Sequence, residues 1–416
     1  MYKRTKVGKA AFNALPRIAY LSVLTLLVAI AVISNAEGAE WRIEPVIRIA
    51  ADIDDNPFLS IRTDTEEDAS GYIVEGAANI AYTADRTNFS ILPVLRSRAY
   101  DEELNLDSDD QFLNMRFNTR TLSTEFGFRA NYSRESTRTA ERADTDFDIE
   151  DPTEIIEDDS GRVGIRDRRE RLILTPSVRY QLSNVSNLNA RVDYQDVDYD
   201  DVFEGIYTDY TDTRLNLSYS RAFSARNTGI LAATYRSYDT GDDSESVDGV
   251  GFNLGFERRI SETTQIRATA GLEDTELIGA DSEIAWVADV SLSRQLETIN
   301  LFAQYRRSVA ASGTGQLGAR DSINFNFTRD LNDKITAGIG ARVYVINPLI
   351  DTGQVFDEQD YVQLRSQLVW NVSEVFSVEA NYRYTFLDRD LLGEASNSNQ
   401  ITIWLNYRPR PVIRSR

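Results

Sequence analysis

Apolar and polar residues alternate with a period of two along most of this chain. In residues 171–182, Leu172, Leu174 and Val178 fall on one face of an extended strand, and polar residues such as Arg179 fall on the other. This period is that of a β-strand, whose successive side chains point to opposite faces. The alternation stops over a short polar segment, 183–186, resumes over 187–200, and is followed by a long acidic segment. The repeating unit is therefore strand, short turn, strand, long loop.

The same unit recurs from Trp41 to the end of the chain and predicts about 18 strands in total. Trp41 begins the first strand, and the Asp-rich segment 52–57 is expected to break it. The other predicted strands span 71–84, 87–100, 110–121, 123–136, 170–182, 187–200, 210–223, 226–239, 248–260, 264–277, 283–295, 298–310, 318–329, 334–346, 360–372, 376–388 and 399–408. Short and long connections alternate throughout, which predicts that all short turns lie at one end of the sheet.

An apolar stripe on every strand needs a partner surface. In water that surface would be a second sheet, whereas in a membrane lipid suffices and closing the sheet removes its exposed edges. We therefore predict an all-β fold, a transmembrane antiparallel β-barrel of the bacterial outer membrane with short periplasmic turns and long acidic external loops. The alternation places both termini in the periplasm. The longest loop, 134–169, is long enough to fold inward as a constriction.

Residues 1–36 have the pattern of a secretory signal peptide. Basic residues precede the apolar segment 18–33, and Ser34-Asn35-Ala36 supplies the small residues that signal peptidase prefers. An uncleaved inner-membrane anchor is the alternative interpretation. With a signal peptide, residues 37–416 form a single barrel domain delivered to the outer membrane, where lipid and the barrel-assembly machinery are its expected partners.

Composition narrows the candidate chemistry. The 416 residues include no cysteine and no histidine, so disulfides, thiolate or imidazole metal sites and a Ser-His-Asp triad are excluded. The formal charge of -21 argues against nucleic-acid binding. The acidic run at 52–55 resembles a calcium loop, but Pro57 and Thr63 stand where an EF-hand needs glycine and glutamate. We expect no enzyme activity, no metal and no cofactor.

The polar faces of the strands would line the interior of such a barrel. Arginine outnumbers acidic residues about two to one among the side chains assigned there from the alternation. The lumen-lining candidates are Arg48, Arg116, Arg129, Arg179, Arg191, Arg214, Arg267, Arg306, Arg342, Arg365 and Arg383. They predict a preference for anions and for carboxylate-bearing solutes. The alternative is that they pair with acids of the wall and loops and only hold the barrel together. Tyr344 and Trp404 point inward as well, either as stacking platforms for sugars or as filling near a rim.

Three segments resemble a known family. The runs TPSVRYQLS, NLNARVDYQDVDYD and TDYTDTRLNLSYSRAFS, together with the DDNPFL that ends the first strand, are similar to the β-barrel porin group associated with bacterial exopolysaccharide gene clusters. The resemblance implies an 18-stranded channel that exports a polysaccharide with a periplasmic polysaccharide-export protein. The last strand, 399–408, resembles the C-terminal signal read by the barrel-assembly machinery, although the tail 409–416 follows it.

The leading hypothesis is therefore an outer-membrane channel for export of an exopolysaccharide. The alternative is a general or solute-selective diffusion porin, which shares every barrel feature with it. A barrel enzyme and a barrel without an open pore are less favoured. Because no nucleotide-binding loop of the GxxxxGK type is present, transport is expected to be passive or driven from the inner membrane.

Overall fold

The computed structural model describes residues 39–59, 68–101, 106–141, 168–200, 207–240, 246–277, 282–311, 317–349, 358–389 and 394–415. The proposed signal peptide and most of the longest predicted loop lie outside these residues. The described part is almost entirely β-structure, with one short helix, α1 (Thr137–Glu141). No helix within it has the length and apolar character needed to cross a membrane.

The strands run to between 13 and 16 residues, apart from the last. They are β1 (Glu40–Asp54), β2 (Ala69–Ala84), β3 (Thr87–Tyr100), β4 (Ser108–Arg120), β5 (Thr124–Ser136), β6 (Arg168–Ser183), β7 (Ser186–Tyr199), β8 (Tyr210–Ser224), β9 (Asn227–Thr240), β10 (Ser246–Arg259), β11 (Thr264–Leu277), β12 (Glu283–Gln295), β13 (Ile299–Ala311), β14 (Leu317–Asn332), β15 (Ile335–Pro348), β16 (Gln359–Asn371), β17 (Phe376–Arg389), β18 (Glu394–Tyr407) and β19 (Val412–Ser415).

Each strand from β1 to β18 pairs antiparallel with its sequence neighbours, and the sheet closes between its first and eighteenth strands. The closing pairs run from Ile47 opposite Tyr407 to Asp54 opposite Gln400. Closure leaves no long strand with unpaired backbone groups at an edge. The predicted fold, a closed antiparallel barrel of eighteen strands, is confirmed. The tail forms one element that the alternation did not predict, because β19 pairs with the start of β1, from Glu40 opposite Ser415 to Ile43 opposite Val412.

The short connections between β2 and β3, and between every second pair of strands after them, lie at one end of the barrel, as predicted. Side chains explain several of these turns. Ser183, Ser224, Ser261 and Ser373 each accept a hydrogen bond from the backbone N–H two residues later. Asn332 accepts from the N–H of both Lys334 and Ile335. Short polar side chains of this kind close tight turns without help from the rest of the fold.

Several strands are longer than predicted at the loop end. The first strand does not break at Asp52 but continues to Asp54, and the eighteenth strand begins at Glu394 rather than at residue 399. The reason for the first is visible in the contacts of Asp52. Its carboxylate accepts hydrogen bonds from Tyr100, Gln400 and Thr402, so its charge is satisfied inside the barrel.

The outer face of the barrel is apolar. On β1 the odd-numbered residues Ile43, Ile47, Ile49 and Ile53 are between 39% and 58% exposed although all are aliphatic. The same holds for alternate residues of the other strands, among them Leu217, Leu231, Leu254 and Ile403. A continuous apolar exterior of this kind is typical of a lipid-facing barrel wall, because in water it would be a large unfavourable exposure.

Candidate functional site: the barrel lumen

The inner face is identified by a charged group that spans the closure of the barrel. Arg48 on β1 donates to Glu75 on β2 at 3.3 Å and to Glu379 on β17 at 3.4 Å. Its guanidinium also lies 4.2 Å from the centre of the Trp404 ring on β18. Directly opposed residues of antiparallel strands share a face, so the pairing register carries this assignment from Arg48 around the whole barrel.

By this register all eleven lumen-lining candidates lie on the same face as Arg48. They are Arg48, Arg116, Arg129, Arg179, Arg191, Arg214, Arg267, Arg306, Arg342, Arg365 and Arg383. Their contact with a solute stays a prediction. The surroundings of these arginines differ along the barrel. We call the half of the inner face beside the long loops the loop-side half, and the half beside the short turns the turn-side half.

The loop-side half carries acids that the alternation missed. Asp52, Asp54, Asp110, Glu135 and Asp212 share the inner face with the arginines and are buried. The buried arginines Arg98, Arg169, Arg171 and Arg320 were not assigned there either, and each lies within two residues of a predicted strand end. With these residues added, arginine still outnumbers acid on the described inner face, but by less than the predicted two to one. Continuing the alternation beyond Arg48 to Asp52 and Asp54 would have found two of the acids.

Most of these loop-side charges are paired. Arg98 and Asp110 form an ion pair at 3.0 Å with both side chains almost fully buried. Arg169 contacts Glu135 at 3.2 Å in a similarly buried position. Desolvated charges are tolerated only when they are paired and hydrogen-bonded, so these contacts are structural requirements of the half in which they lie.

The segment after β5 folds inward. The guanidinium of Arg138, in α1, donates to Asp54 at 3.1 Å and to the backbone oxygen of Pro57 at 3.2 Å, and Thr139 contacts Arg98. Burial disfavours the charged form of Arg138, but Tyr100 and Asp54 outweigh it and raise the pKa of this guanidinium. The contacts reach from the end of β5 to β1 and β3. The part of the longest loop that is described, residues 137–141, thus lies over the lumen.

A second inward element is the loop-side end of the β13–β14 pair, residues 308–311 and 317–319, which we call the β13–β14 tip. Pairing between β12 and β13 stops at Ala288 and Arg307, although both strands continue. Beyond that point the backbone oxygen of Val309 accepts from Arg214 on β8 at 3.2 Å and from Arg236 on β9 at 3.1 Å. Val309 and Leu317 join a buried cluster with Tyr210, Tyr238 and Val247. The alternation gave no sign of this tip, because it depends on strands far away in sequence.

The inward aromatic residues near the loop end are buried. Tyr344 stacks on Tyr361 with ring centres 4.6 Å apart, and the Arg320 guanidinium lies 4.1 Å from the centre of the Tyr344 ring. Leu59, with a φ of 49°, turns back into the same cluster. Tyr344 and Trp404 are only 1% and 3% exposed, so each fills space and leaves no ring face for a sugar.

The turn-side half is open by comparison. Arg116, Arg129, Arg179, Arg191 and Arg267 are all exposed on the inner face. A cavity of about 500 Å³ lies against the inner face of β2 to β7 and is bordered by three of these arginines and by Ser90, Thr175 and Ser177, among others. Hydroxyls and guanidinium groups that face water can bind and release polar solutes.

In the part of the chain that the structure describes, no group of three or more histidine, cysteine, aspartate or glutamate residues is placed to hold a metal ion. The acids at the end of β1 have hydrogen-bonding partners, since Asp54 accepts from Ser398 and Arg138, and the adjacent Asp55 accepts from Asn399.

Comparison with known proteins gives no family. No family model and no curated protein matches the chain. Among solved structures, Pseudomonas aeruginosa OpdQ is 8% identical over 89% of this chain and 98% of its own, with a TM-score of 0.45. Acinetobacter baumannii OccAB4 is 10% identical over 91% and 99%, with a TM-score of 0.45. The outer membrane channel DcaP of the same species is 10% identical over 89% and 97%, with a TM-score of 0.43. Such distant likeness carries no argument about function, which must come from the chain's own geometry.

Proposed function

We propose that this protein is a passive channel for hydrophilic solutes in a bacterial outer membrane. The observation that carries the proposal is the contrast between the two faces of the closed barrel. The outer face is aliphatic and exposed, while the turn-side inner face exposes arginine, hydroxyl and amide groups. Barrels of 16 to 18 strands are wide enough to enclose an aqueous path. Both termini are then periplasmic, as the alternation of short turns and long loops predicts.

The loop-side half would set the size limit of the channel. Helix α1 and the β13–β14 tip extend inward from different parts of the wall, and each is held by arginine contacts to other strands. Small solutes could pass beside such elements without displacing them. This is the reason for preferring a diffusion channel over a wide conduit for a polymer.

Export of an exopolysaccharide with a periplasmic export protein is the second candidate. It is supported by the resemblance of residues 171–239 to the exopolysaccharide-associated porin group. A growing polymer would have to thread past α1 and the β13–β14 tip, or move them. The short turns would form the contact with the periplasmic partner.

The proposal is tested with the purified full-length protein reconstituted in planar bilayers and in liposomes. We expect stepwise single-channel currents, and liposome swelling that is fast for small sugars and slows as sugar size increases. The control is protein that has been heated until it no longer migrates on gels as a folded barrel. Reconstituted barrels that neither conduct nor admit sugars would contradict the proposal.

Deletion of the gene separates the two candidates. Polysaccharide would be measured on the cell surface, in the medium and in the periplasm. We expect no change for a diffusion channel, together with slower uptake of small polar solutes. Loss of polysaccharide outside the cell, with accumulation inside, would favour export instead.

A further inference from the structure

One junction in the wall of the barrel is only partly paired. The ladder between β12 and β13 ends at Ala288 and Arg307, although both strands continue toward the loop end. On that side, residues 283–287 of β12 pair with no described strand, while residues 308–311 of β13 pair only with β14. Unpaired backbone groups are unfavourable at the depth of a membrane. We call these two parted edges the β12–β13 seam.

Contacts with a distant part of the wall hold the seam apart. The β13 edge turns inward, where the backbone oxygen of Val309 accepts from Arg214 on β8 and from Arg236 on β9. The pairs that β13 does not make with β12 are thus replaced by hydrogen bonds from two charged donors. The separation of the two edges is therefore part of the fold.

The alternation of apolar and polar residues fails at the seam. The sequence reads IAWVA over 284–288 in β12 and VAA over 309–311 in β13. Trp286 lies on the outer face and is 49% exposed, whereas Ala285 and Val287 lie on the inner face. A strand that is apolar on both faces is expected to meet apolar material on both sides.

The apolar surface continues inside the barrel. Ala285 and Ala311 pack against the buried cluster that contains Val309, Tyr238 and Val247. Apolar side chains therefore connect the lipid-facing wall, through the seam, with the interior of the loop-side half. Such a lining suits a hydrocarbon chain and not a polar solute.

A weak contact bridges the closed end of the seam. Arg307 is the last paired residue of β13, and its guanidinium lies 4.4 Å from the centre of the Trp286 ring on β12. On the outer face, Arg307 also pairs with Asp321, whose carboxylate accepts from Tyr305 at 2.7 Å. A single cation–π contact at an exposed site is weak, so it can hold the two edges near each other without locking them.

We propose that the β12–β13 seam binds the acyl chain of a single-chain amphiphile, such as a long-chain fatty acid, and lets it pass between the membrane and the lumen. This inference goes beyond the proposed channel for hydrophilic solutes, because it assigns a second class of cargo and a second route through the wall. The parted edges are four and five residues long, or about 15 Å, and the seam is closed at Arg307. A cleft this narrow favours one chain over the two of a phospholipid. It opens toward the loop end, where the polar head can stay in water.

The test uses fluorescent labels at three positions of β12. The chain has no cysteine, so one introduced cysteine can carry a bimane label. Val287→Cys places the label on the inner face within the seam. Ser291→Cys is the matched control, because it lies on the inner face where β12 is paired on both sides. Val290→Cys, whose side chain points outward and is 43% exposed, reports full contact with lipid.

Each labelled barrel would be reconstituted in liposomes that contain dibromostearate, whose bromine atoms quench bimane on contact. Gel mobility without heating would confirm that each variant forms a barrel. We expect the label at 287 to lose nearly as much fluorescence as the label at 290, relative to liposomes without bromine. The label at 291 should lose little. A phospholipid supplied at the same bromine content should quench the label at 287 less, because it carries two chains.

A second pair of variants tests the contact that bridges the seam. Trp286→Ala should speed the onset of quenching at 287 after dibromostearate is added, because the contact with Arg307 is lost. Trp370→Ala is its control, since Trp370 is also outward and 49% exposed but lies on β16, which is paired on both sides. It should leave the rate unchanged.

Three results would overturn the inference. A label at 287 that stays as bright as the label at 291, with and without Trp286→Ala, would mean that no chain enters the seam. Equal quenching at 287 and 291 would mean entry by another route. Equal quenching by dibromostearate and the phospholipid would mean that bilayer lipid fills the seam without selection. If Val287→Cys does not fold, Ala285→Cys gives the same comparison. None of these measurements depends on conductance, so the proposed channel function is judged separately.

Discussion

The loop-side and turn-side halves of the inner face carry the same kinds of side chain in different surroundings. In the loop-side half, arginines such as Arg98 and Arg236 are buried, and each is tied to an acid. In the turn-side half, Arg129, Arg179 and Arg267 are exposed and make no ion pair with a described residue. The same residue type therefore has two physical roles in one wall. Buried arginines hold the barrel and its inward elements together, and we expect exposed arginines to set the electric field that a solute would meet.

Because of this contrast, a single ratio of arginine to acid for the whole inner face is misleading. The hypothesis that wall arginines only hold the barrel shape describes the loop-side half, where α1 and the β13–β14 tip depend on them. The hypothesis of an anion-attracting lining is a prediction for the turn-side half only. Substitutions in the two halves should therefore differ in what they change.

The largest effect on stability is expected from Asp212→Ala. Without this carboxylate, Arg214 and Arg236 face each other with Arg236 still buried, and Glu273 lies 4.0 Å from Arg236. Removing one partner of a buried ion pair costs about 3–5 kcal/mol. We expect the free energy of unfolding to fall by an amount in the lower part of that range. It would be measured from the urea dependence of barrel unfolding.

The matched control is Asp193→Ala in the turn-side half. Asp193 pairs with Arg191, which is 45% exposed at its side chain, so water can replace the lost partner. We expect the free energy of unfolding to fall by no more than about 1 kcal/mol. Equal losses for the two substitutions would remove the distinction between the halves.

A smaller effect on stability, but a visible one on conductance, is expected from Arg138→Ala. This change removes the contacts that tie α1 to Asp54 and Pro57. A charge-assisted hydrogen bond contributes about 1.5–3 kcal/mol, enough to release a short segment. Single-channel conductance should rise, and larger sugars should enter liposomes. Arg134→Ala is the control, because its contact with Asp200 is exposed. Unchanged conductance in Arg138→Ala would show that α1 does not narrow the path.

The smallest effect on stability is expected from Arg179→Gln together with Arg267→Gln. Both side chains are exposed, and substitution should leave the unfolding free energy within about 0.5 kcal/mol of the wild type. The reversal potential in a salt gradient should nevertheless shift toward cations. The wild type should prefer anions at low salt, and this preference should weaken near 1 M salt, where the screening length is about 3 Å. Cation preference of the wild type at moderate salt would refute the predicted anion lining.

The sequence alone determined the eighteen long strands, their order and the face on which each lumen-lining candidate lies. Strict alternation leaves only two faces, and one of them is too apolar for water. The short turns are equally local, since Ser183, Ser224 and Asn332 close them with hydrogen bonds to residues two or three positions away.

Only the tertiary structure decided which arginines are engaged and which are open. Arg236 and Arg129 have the same local setting, an arginine directly opposite on the next strand. Their surroundings in the folded protein differ. Arg236 donates to Asp212 and to the backbone oxygen of Val309, which is 73 residues away in the sequence, whereas Arg129 faces a cavity. The contact of Arg138 with Asp54 likewise joins residues 84 positions apart across the barrel. Such contacts exist only after the sheet has closed, so no local pattern of residues predicts them.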